Sequence, residues 1–115
     1  MSKQENTDLL LWEIEESNPG LGKKVREKLR EVKDPEIGMD IIQLGMIREV
    51  QLTDEAAKIT MILTTPYCPY GPMLMEAARK KAEEVIGKKT EIIYGQEVWD
   101  RSMMEEGSGF DWGLF

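Results

Sequence analysis

An alternating run followed by a helical run constrains the fold of this chain more than any other feature. Residues 58–65 alternate in the way that is typical of a β-strand with one apolar face, formed by Ile59, Met61 and Leu63. The next apolar residues recur at helical spacing: Leu74, Ala78, Ala82 and Val85. Gly87 is typical of a helix end, and residues 90–99 predict another strand. The helix supplies a crossover if the two strands are parallel.

The residues before this unit predict a second helix and a second strand. Apolar positions at helical spacing predict a core helix that begins near Lys23: Val25, Leu29 and Val32. This helix should end at Asp34-Pro35, because the residue before a proline disfavours helical geometry. Residues 46–52 predict a strand, and Thr53-Asp54-Glu55 predicts an antiparallel hairpin turn. We expect an α/β fold, a two-layer sandwich with a small mixed sheet of about three strands and two core helices.

A length of 115 residues fits one compact domain. We expect this domain at residues 23–104, after an N-terminal extension, residues 1–22, with a short helix ended by Asn18-Pro19-Gly20. Residues 105–115 form a tail whose first part is typical of a linker. The last six residues include four large apolar ones: Phe110, Trp112, Leu114 and Phe115. Since aromatic residues are enriched at interfaces, this hexapeptide either docks on its own domain or is offered to a partner.

Composition narrows the possible functions. The chain has 22 acidic and 15 basic residues and a net charge of -7, the wrong sign for a phosphate backbone, so we expect no nucleic-acid partner. No apolar run approaches the roughly 20 residues that cross a bilayer, and no signal-peptide pattern is seen. We therefore expect a cytoplasmic protein with no membrane partner. The absence of histidine removes the commonest general base and every Ser-His or Cys-His pair.

Cys68 is the only cysteine. It therefore forms no disulfide within the chain and no closed four-cysteine metal site. The predicted elements place it between a strand end and a helix start, where backbone N–H groups and the helix dipole favour the thiolate, the form that binds metals. The alternative is a small buried hydrophobic residue, and both interpretations stay open from the residues alone. In the following helix, Met73 and Met75 could form a soft metal-binding surface, but methionines on a helix usually pack in the core, and we expect them there.

Two polar pairs are further candidates. Asp34 and Glu36 flank a proline and are able to ligate iron or to accept hydrogen bonds, although an aspartate that caps a turn is the commoner arrangement. The hydroxyls of Thr64 and Thr65 either hydrogen-bond the loop around Cys68 or simply suit a strand end. Spacing alone does not join either pair to the cysteine.

Three motifs occur in order along the chain: Asp34-Pro35-Glu36-Ile37, Leu44-Gly45-Met46-Ile47 and Thr64-Thr65-Pro66-Tyr67-Cys68-Pro69. Followed by a helix and a short strand, they resemble the SufT-like and PaaD-like family of metal-sulfur cluster biosynthesis domains. The resemblance covers residues 23–104 and implies the α/β fold of that family. The chain departs from the family after the last strand, where Trp99-Asp100-Arg101 stands in place of a common Pro-Pro-Trp.

The resemblance implies a function in the maturation of iron-sulfur proteins. The family's cysteine falls on Cys68, the implied cluster ligand, and Asp34, Glu36, Thr64 and Thr65 are implied around one cluster-binding pocket. Some members of the family are thought to hold a labile cluster between subunits. One cysteine cannot supply the four thiolates of a standard cluster, so a bridging cluster in a homodimer is expected. The homodimer would supply two cysteines, and carboxylate, a small thiol or a client's cysteines would fill the remaining positions. The implied partners are iron-sulfur client proteins and the assembly machinery.

We therefore expect a cluster assembly or carrier factor that is not an enzyme. One alternative is an accessory subunit that matures a multicomponent oxygenase, as the PaaD-like branch suggests. Another is a thiol-dependent enzyme with Cys68 as its nucleophile. The enzyme is the less favoured alternative, because the chain lacks both a histidine and a second, resolving cysteine.

Overall fold

The computed structural model describes residues 12–65 and 69–104. In this part of the chain the elements are α1 Glu13–Ser17, α2 Pro19–Leu29, β1 Ile47–Leu52, β2 Ala56–Met61, α3 Gly71–Ile86 and β3 Lys89–Tyr94. A 3-10 turn, Arg101–Met103, follows β3. The predicted α/β fold is confirmed. None of the described helices is long and apolar enough to cross a membrane.

The three strands form one mixed sheet in the order β1-β2-β3. β1 and β2 are antiparallel, with Val50 opposite Ile59, and β2 and β3 are parallel, with Ile59 beside Ile92. Thr53 closes the hairpin, because its hydroxyl oxygen accepts a hydrogen bond from the Ala56 N–H at 3.1 Å. α3 is the crossover between the parallel strands, so the predicted hairpin and crossover are both confirmed.

The helices form the second layer. α3 packs against β2 and β3, α2 packs against α3, and α1 lies against α2 and β1. Gly87 ends α3 in the left-handed conformation, with φ +78°, as the sequence predicts. The core draws fully buried side chains from every layer, among them Val25, Leu29, Ile41, Leu44, Met46, Val50, Ile59, Met61 and Leu74.

The N-terminal segment covers the outer edge of β1. The Trp12 indole N–H donates to the Ile47 carbonyl oxygen at 3.3 Å, and the Glu13 backbone N–H donates to the Glu49 carboxylate at 2.8 Å. The Leu52 N–H in turn donates to the Glu13 carboxylate at 3.3 Å. These bonds give hydrogen-bond partners to polar groups at the edge of β1 that has no neighbouring strand among the described residues. The short helix α1 therefore forms part of the folded unit.

α2 differs from the predicted helix at both ends. It begins at Pro19 and not near Lys23, because the Asn18 side chain accepts a hydrogen bond from a first-turn backbone N–H at 3.3 Å. Asn18-Pro19 therefore ends one helix and starts the next. α2 also stops at Leu29, ahead of the predicted end at Asp34-Pro35, and single turns continue the chain to that point.

β3 is shorter than the predicted strand at residues 90–99. It ends at Tyr94, and residues 95–99 turn across the ends of the strands. The predicted short N-terminal helix is described only in its second part, α1, which ends before Asn18 as predicted. The C-terminal hexapeptide lies outside the described residues.

Candidate functional site

A groove of about 500 Å³ opens where β2 and β3 end. Its walls come from the residues just after β2 and from the chain that follows β3: Leu63, Thr64, Tyr94, Gly95, Gln96, Glu97, Val98 and Trp99. In open α/β sheets, ligands bind outside the carboxyl ends of parallel strands. Within the described residues, this position makes the groove the candidate functional site.

Two glycines let the walls of the groove approach each other. The Gly95 N–H donates to the Met61 carbonyl oxygen at 2.8 Å, and a Cβ at Gly95 would lie 2.9 Å from the Ile62 Cγ2. At the start of α3, a Cβ at Gly71 would lie 2.6 Å from the Leu63 Cδ1. A side chain at either position would force the neighbouring side chain to move. Gly71, the first residue of α3, therefore packs closely against Leu63, one of the lining residues.

Trp99 fixes the chain that follows β3. Its indole N–H donates to the Leu44 carbonyl oxygen at 2.6 Å. Arg48 adds a second link, because its guanidinium donates to Glu97 at 2.9 Å and to the Gly45 carbonyl oxygen at 3.2 Å. The lining segment is thus tied to the turn before β1, far away in the sequence.

The 3-10 turn completes this attachment. Asp100 accepts hydrogen bonds from the Ser102 hydroxyl and, at 3.2 Å, from the Ser102 N–H. The Ser102 hydroxyl, and next its N–H, lower the pKa of Asp100 below its usual value. Their stabilising effect is therefore present at neutral pH and is lost as the pH falls through the lowered pKa. Met104, the last residue of this segment, is buried in the core.

Gly45 should tolerate no side chain. Its φ is +74°, and a Cβ there would lie 2.0 Å from the Met103 carbonyl oxygen. We expect Gly45→Ala to lower the free energy of unfolding by about 3 kcal/mol, from left-handed strain and steric overlap together. Gly38→Ala is the matched control, since its φ is +84° but nothing lies within 4 Å of its added Cβ. Urea unfolding should show a loss of about 1 to 2 kcal/mol for Gly38→Ala, and equal losses would contradict the Met103 contact.

Cys68 lies outside the described residues, as do Pro66 and Tyr67. The residues on both sides of it are placed. Thr64 lines the groove, and Gly71, the first residue of α3, contacts Leu63 in the groove wall. The segment that carries the cysteine therefore connects Thr64, a lining residue of the groove, to Gly71, which packs against another lining residue.

The other predicted site residues are spread over two places. Thr64 lines the groove and Thr65 follows it, whereas Asp34 and Glu36 are not among the lining residues. Asp34 is 1% exposed, and its carboxylate accepts a hydrogen bond from the Glu36 N–H at 2.9 Å, which is the turn-capping role. The Glu36 side chain is exposed. Among the described residues, no hydrogen bond joins Asp34 or Glu36 to Thr64.

Exposed apolar side chains occur in two places, in the groove and at the start of α3. Tyr94 and Val98 are 50% and 84% exposed in the groove, and Tyr70 and Met73 are 38% and 53% exposed at the start of α3. The prediction that Met73 packs in the core is wrong, while Met75 does pack against the core. The surface beside the groove is therefore suited to contact with another apolar group.

Sequence reasoning did not identify the residues that shape the groove after β3. Glu97 and Trp99 were not candidates because the last predicted strand extended through residue 99, and Arg48 was not a candidate because it lay within the predicted strand at residues 46–52. One available signal was the sequence Gly95-Gln96, since a glycine within a strand pattern often marks a break in pairing. Gly95-Gln96 predicts the end of strand pairing, but it does not predict the hydrogen bond from Trp99 to Leu44.

The described residues supply no complete metal site. Residues 12–65 and 69–104 contain no group of three or more histidine, cysteine, aspartate or glutamate side chains that could hold a metal ion. Since Cys68 is the chain's only cysteine, one chain cannot supply the four thiolates of a standard iron-sulfur cluster.

Comparisons with known proteins agree on one family. A family model for iron-sulfur cluster assembly proteins matches residues 23–93. An Fe-S protein maturation auxiliary factor of Porphyromonas gingivalis is 36% identical over 90 residues, which cover 75% of this chain and 85% of that protein. An iron-sulfur cluster carrier protein of Synechocystis is 35% identical over 65 residues, 56% of this chain and 18% of that protein.

A solved structure supports the fold. The crystal structure of a DUF59 domain of unknown function from Bacillus anthracis superposes with a TM-score of 0.74, over 87% of this chain and 98% of that chain. The two sequences are 24% identical, so this likeness concerns the fold alone.

Proposed function

Since this chain belongs to the family of iron-sulfur cluster assembly proteins, we propose that it carries an iron-sulfur cluster as cargo and passes it to client proteins. The predicted role in iron-sulfur cluster assembly agrees with the similarity to maturation and carrier proteins. The observation that supports the proposal is structural: the segment holding Cys68 runs from Thr64, which lines the groove, to Gly71, which packs against the lining residue Leu63.

Cys68 is the proposed cluster ligand, and one thiolate per chain requires help. In a homodimer, two copies of Cys68 would bridge one cluster and leave other iron positions to small thiols or to a client's cysteines. A cluster with few protein ligands is easier to release than one with four. Partial ligation thus suits a labile cargo.

The groove is the proposed contact site for the client or the assembly machinery. Exposed Tyr94 and Val98 provide apolar contacts, and Thr64 provides a hydroxyl close in sequence to Cys68. Contact there would place a client's cysteines near the carried cluster. Asp34 and Glu36 have only a supporting role in this proposal. The Asp34 carboxylate accepts a hydrogen bond from the Glu36 N–H and so shapes its own turn.

The proposal is a carrier without catalytic turnover that acts in the cytoplasm. Cluster transfer exchanges ligands and needs neither a general base nor a covalent intermediate on the protein. The chain's lack of histidine agrees with this chemistry.

Transfer to an apo-protein tests the function. The chain, loaded with iron and sulfide without oxygen, is mixed with the apo-form of a [4Fe–4S] dehydratase in the presence of an iron chelator. We expect dehydratase activity to return at least about tenfold faster than with equal free iron and sulfide, because the bound cargo is delivered directly. Equal rates would contradict a carrier function.

A matched pair of variants tests the role of the groove in transfer. Val98→Asp places a charge in the groove, and Ile37→Asp places one at another exposed apolar residue, 38% exposed and outside the groove lining. Val98→Asp should slow cluster transfer without reducing the cluster content of the carrier. Ile37→Asp should change neither the transfer rate nor the cluster content. Equal effects would exclude the groove as the client contact.

A further inference from the structure

The groove and the C-terminal tail have matching chemistry. We propose that the groove binds the chain's own C-terminal segment, residues 110–115. The inference concerns binding within one chain, so it can be tested without a cluster.

The groove is apolar in its exposed parts. Val98 is 84% exposed and Tyr94 is 50% exposed, and these are large apolar groups for a surface to leave in water. Among the described lining residues, Glu97 is the acidic one, and its carboxylate is held by Arg48 at 2.9 Å. An acidic peptide would therefore meet no unpaired carboxylate in the lining.

The described chain ends close to the groove. Met104 is 7% exposed and belongs to the core, and the Met103 backbone lies against Gly45. Gly45 follows Leu44, the residue whose carbonyl oxygen holds Trp99 of the groove wall. The chain thus leaves the described region beside the turn that anchors the groove.

The length and composition of the tail suit this contact. Residues 105–109 are Glu-Glu-Gly-Ser-Gly, a spacer without large apolar side chains. Five residues span at most about 17 Å, and eight residues, enough to reach Trp112, span at most about 28 Å. Phe110, Trp112, Leu114 and Phe115 supply the apolar groups. Attachment by a short spacer gives an effective concentration on the order of millimolar, so even a weak contact would be occupied.

The contact would compete with partners. Thr64, on one side of the segment that holds Cys68, lines this groove, and Gly71, on the other side, packs against the lining residue Leu63. A bound tail would cover Tyr94 and Val98, and a partner that uses those residues would have to displace it. The apparent affinity of the groove for a partner would then fall in proportion to the fraction of molecules whose groove is free of the tail.

A peptide titration tests the proposal on the full chain. A labelled peptide of residues 107–115 is added to the natural chain and to a tail variant in which Phe110, Trp112, Leu114 and Phe115 are all serine. Fluorescence anisotropy should show binding to the serine-tail chain. Binding to the natural chain should be roughly tenfold weaker, because its own tail occupies the groove.

Three controls decide between the outcomes. Val98→Asp in the serine-tail chain should abolish peptide binding, whereas Ile37→Asp should not, and a peptide with the four serines should not bind. No binding to the serine-tail chain, or binding that Val98→Asp leaves unchanged, would overturn the proposal. Sedimentation equilibrium is the last control. A dimer that forms in the natural chain and not in the serine-tail chain would show that the tail binds another copy, and this result would also overturn the proposal.

Discussion

Trp12→Ala should lower the free energy of unfolding by about 3 to 5 kcal/mol, the usual cost of removing a buried tryptophan. Trp12 is 1% exposed and donates from its indole N–H to the Ile47 carbonyl oxygen. The Arg26 guanidinium lies 4.0 Å from the centroid of its ring. Since small domains have about 5 to 15 kcal/mol of stability in total, this single change should leave the chain marginally folded.

Urea unfolding followed by far-ultraviolet circular dichroism measures this loss, because the signal does not depend on tryptophan fluorescence. Trp12→Phe keeps most of the apolar volume and should cost about 1 to 2 kcal/mol, mainly for the lost hydrogen bond. Glu16→Ala, at an exposed position of the same helix, should change stability by less than about 0.5 kcal/mol. A small effect of Trp12→Ala would mean that α1 is an appendage outside the cooperative unit.

The sheet and its crossover were predictable because their signals are local. Alternation around Ile59, the turn at Thr53 and the helical spacing that starts at Leu74 each define one element within a few residues. Their order leaves few ways to build a two-layer sandwich. The resemblance to the iron-sulfur assembly family was also carried by short motifs, and the family match confirms it.

The groove was not predictable in the same way, because distant residues form it. The bond from Trp99 to Leu44 and the pair between Arg48 and Glu97 join segments that are about fifty positions apart in the sequence. No periodic pattern encodes such contacts. The start of α2 was predicted too late for another reason: Asn18-Pro19 does end α1, as predicted, but the same dipeptide also starts α2.

The site residues fall between these cases. Local chemistry correctly favoured a turn-capping role for Asp34, and the structure shows the bond to the Glu36 N–H. Thr64 lines the groove, but β2 ends at Met61, before the predicted strand end at residue 65. The role of Cys68 stays a prediction, which rests on the sequence and the family.

Cys68→Ser should remove cluster binding almost completely. Cys68 is the only thiol in the chain, so the serine variant has no sulfur ligand for iron other than methionine. A hydroxyl is a much poorer ligand for an iron-sulfur cluster than a thiolate. Mutating a residue that only hydrogen-bonds a metal ligand already lowers metal affinity by about 10 to 100-fold. Loss of the thiolate ligand itself should therefore reduce bound iron by more than about tenfold. Folding should be unaffected, which circular dichroism can verify.

The most direct test is anaerobic reconstitution of the natural chain and of Cys68→Ser with iron and sulfide, followed by gel filtration, absorption spectroscopy and iron and sulfide quantitation. Our account predicts a sulfide-to-iron charge-transfer spectrum in the natural chain, with matching iron and sulfide, and only background values in the variant. Equal iron and sulfide in both proteins, or none in either, would contradict a cluster held by Cys68.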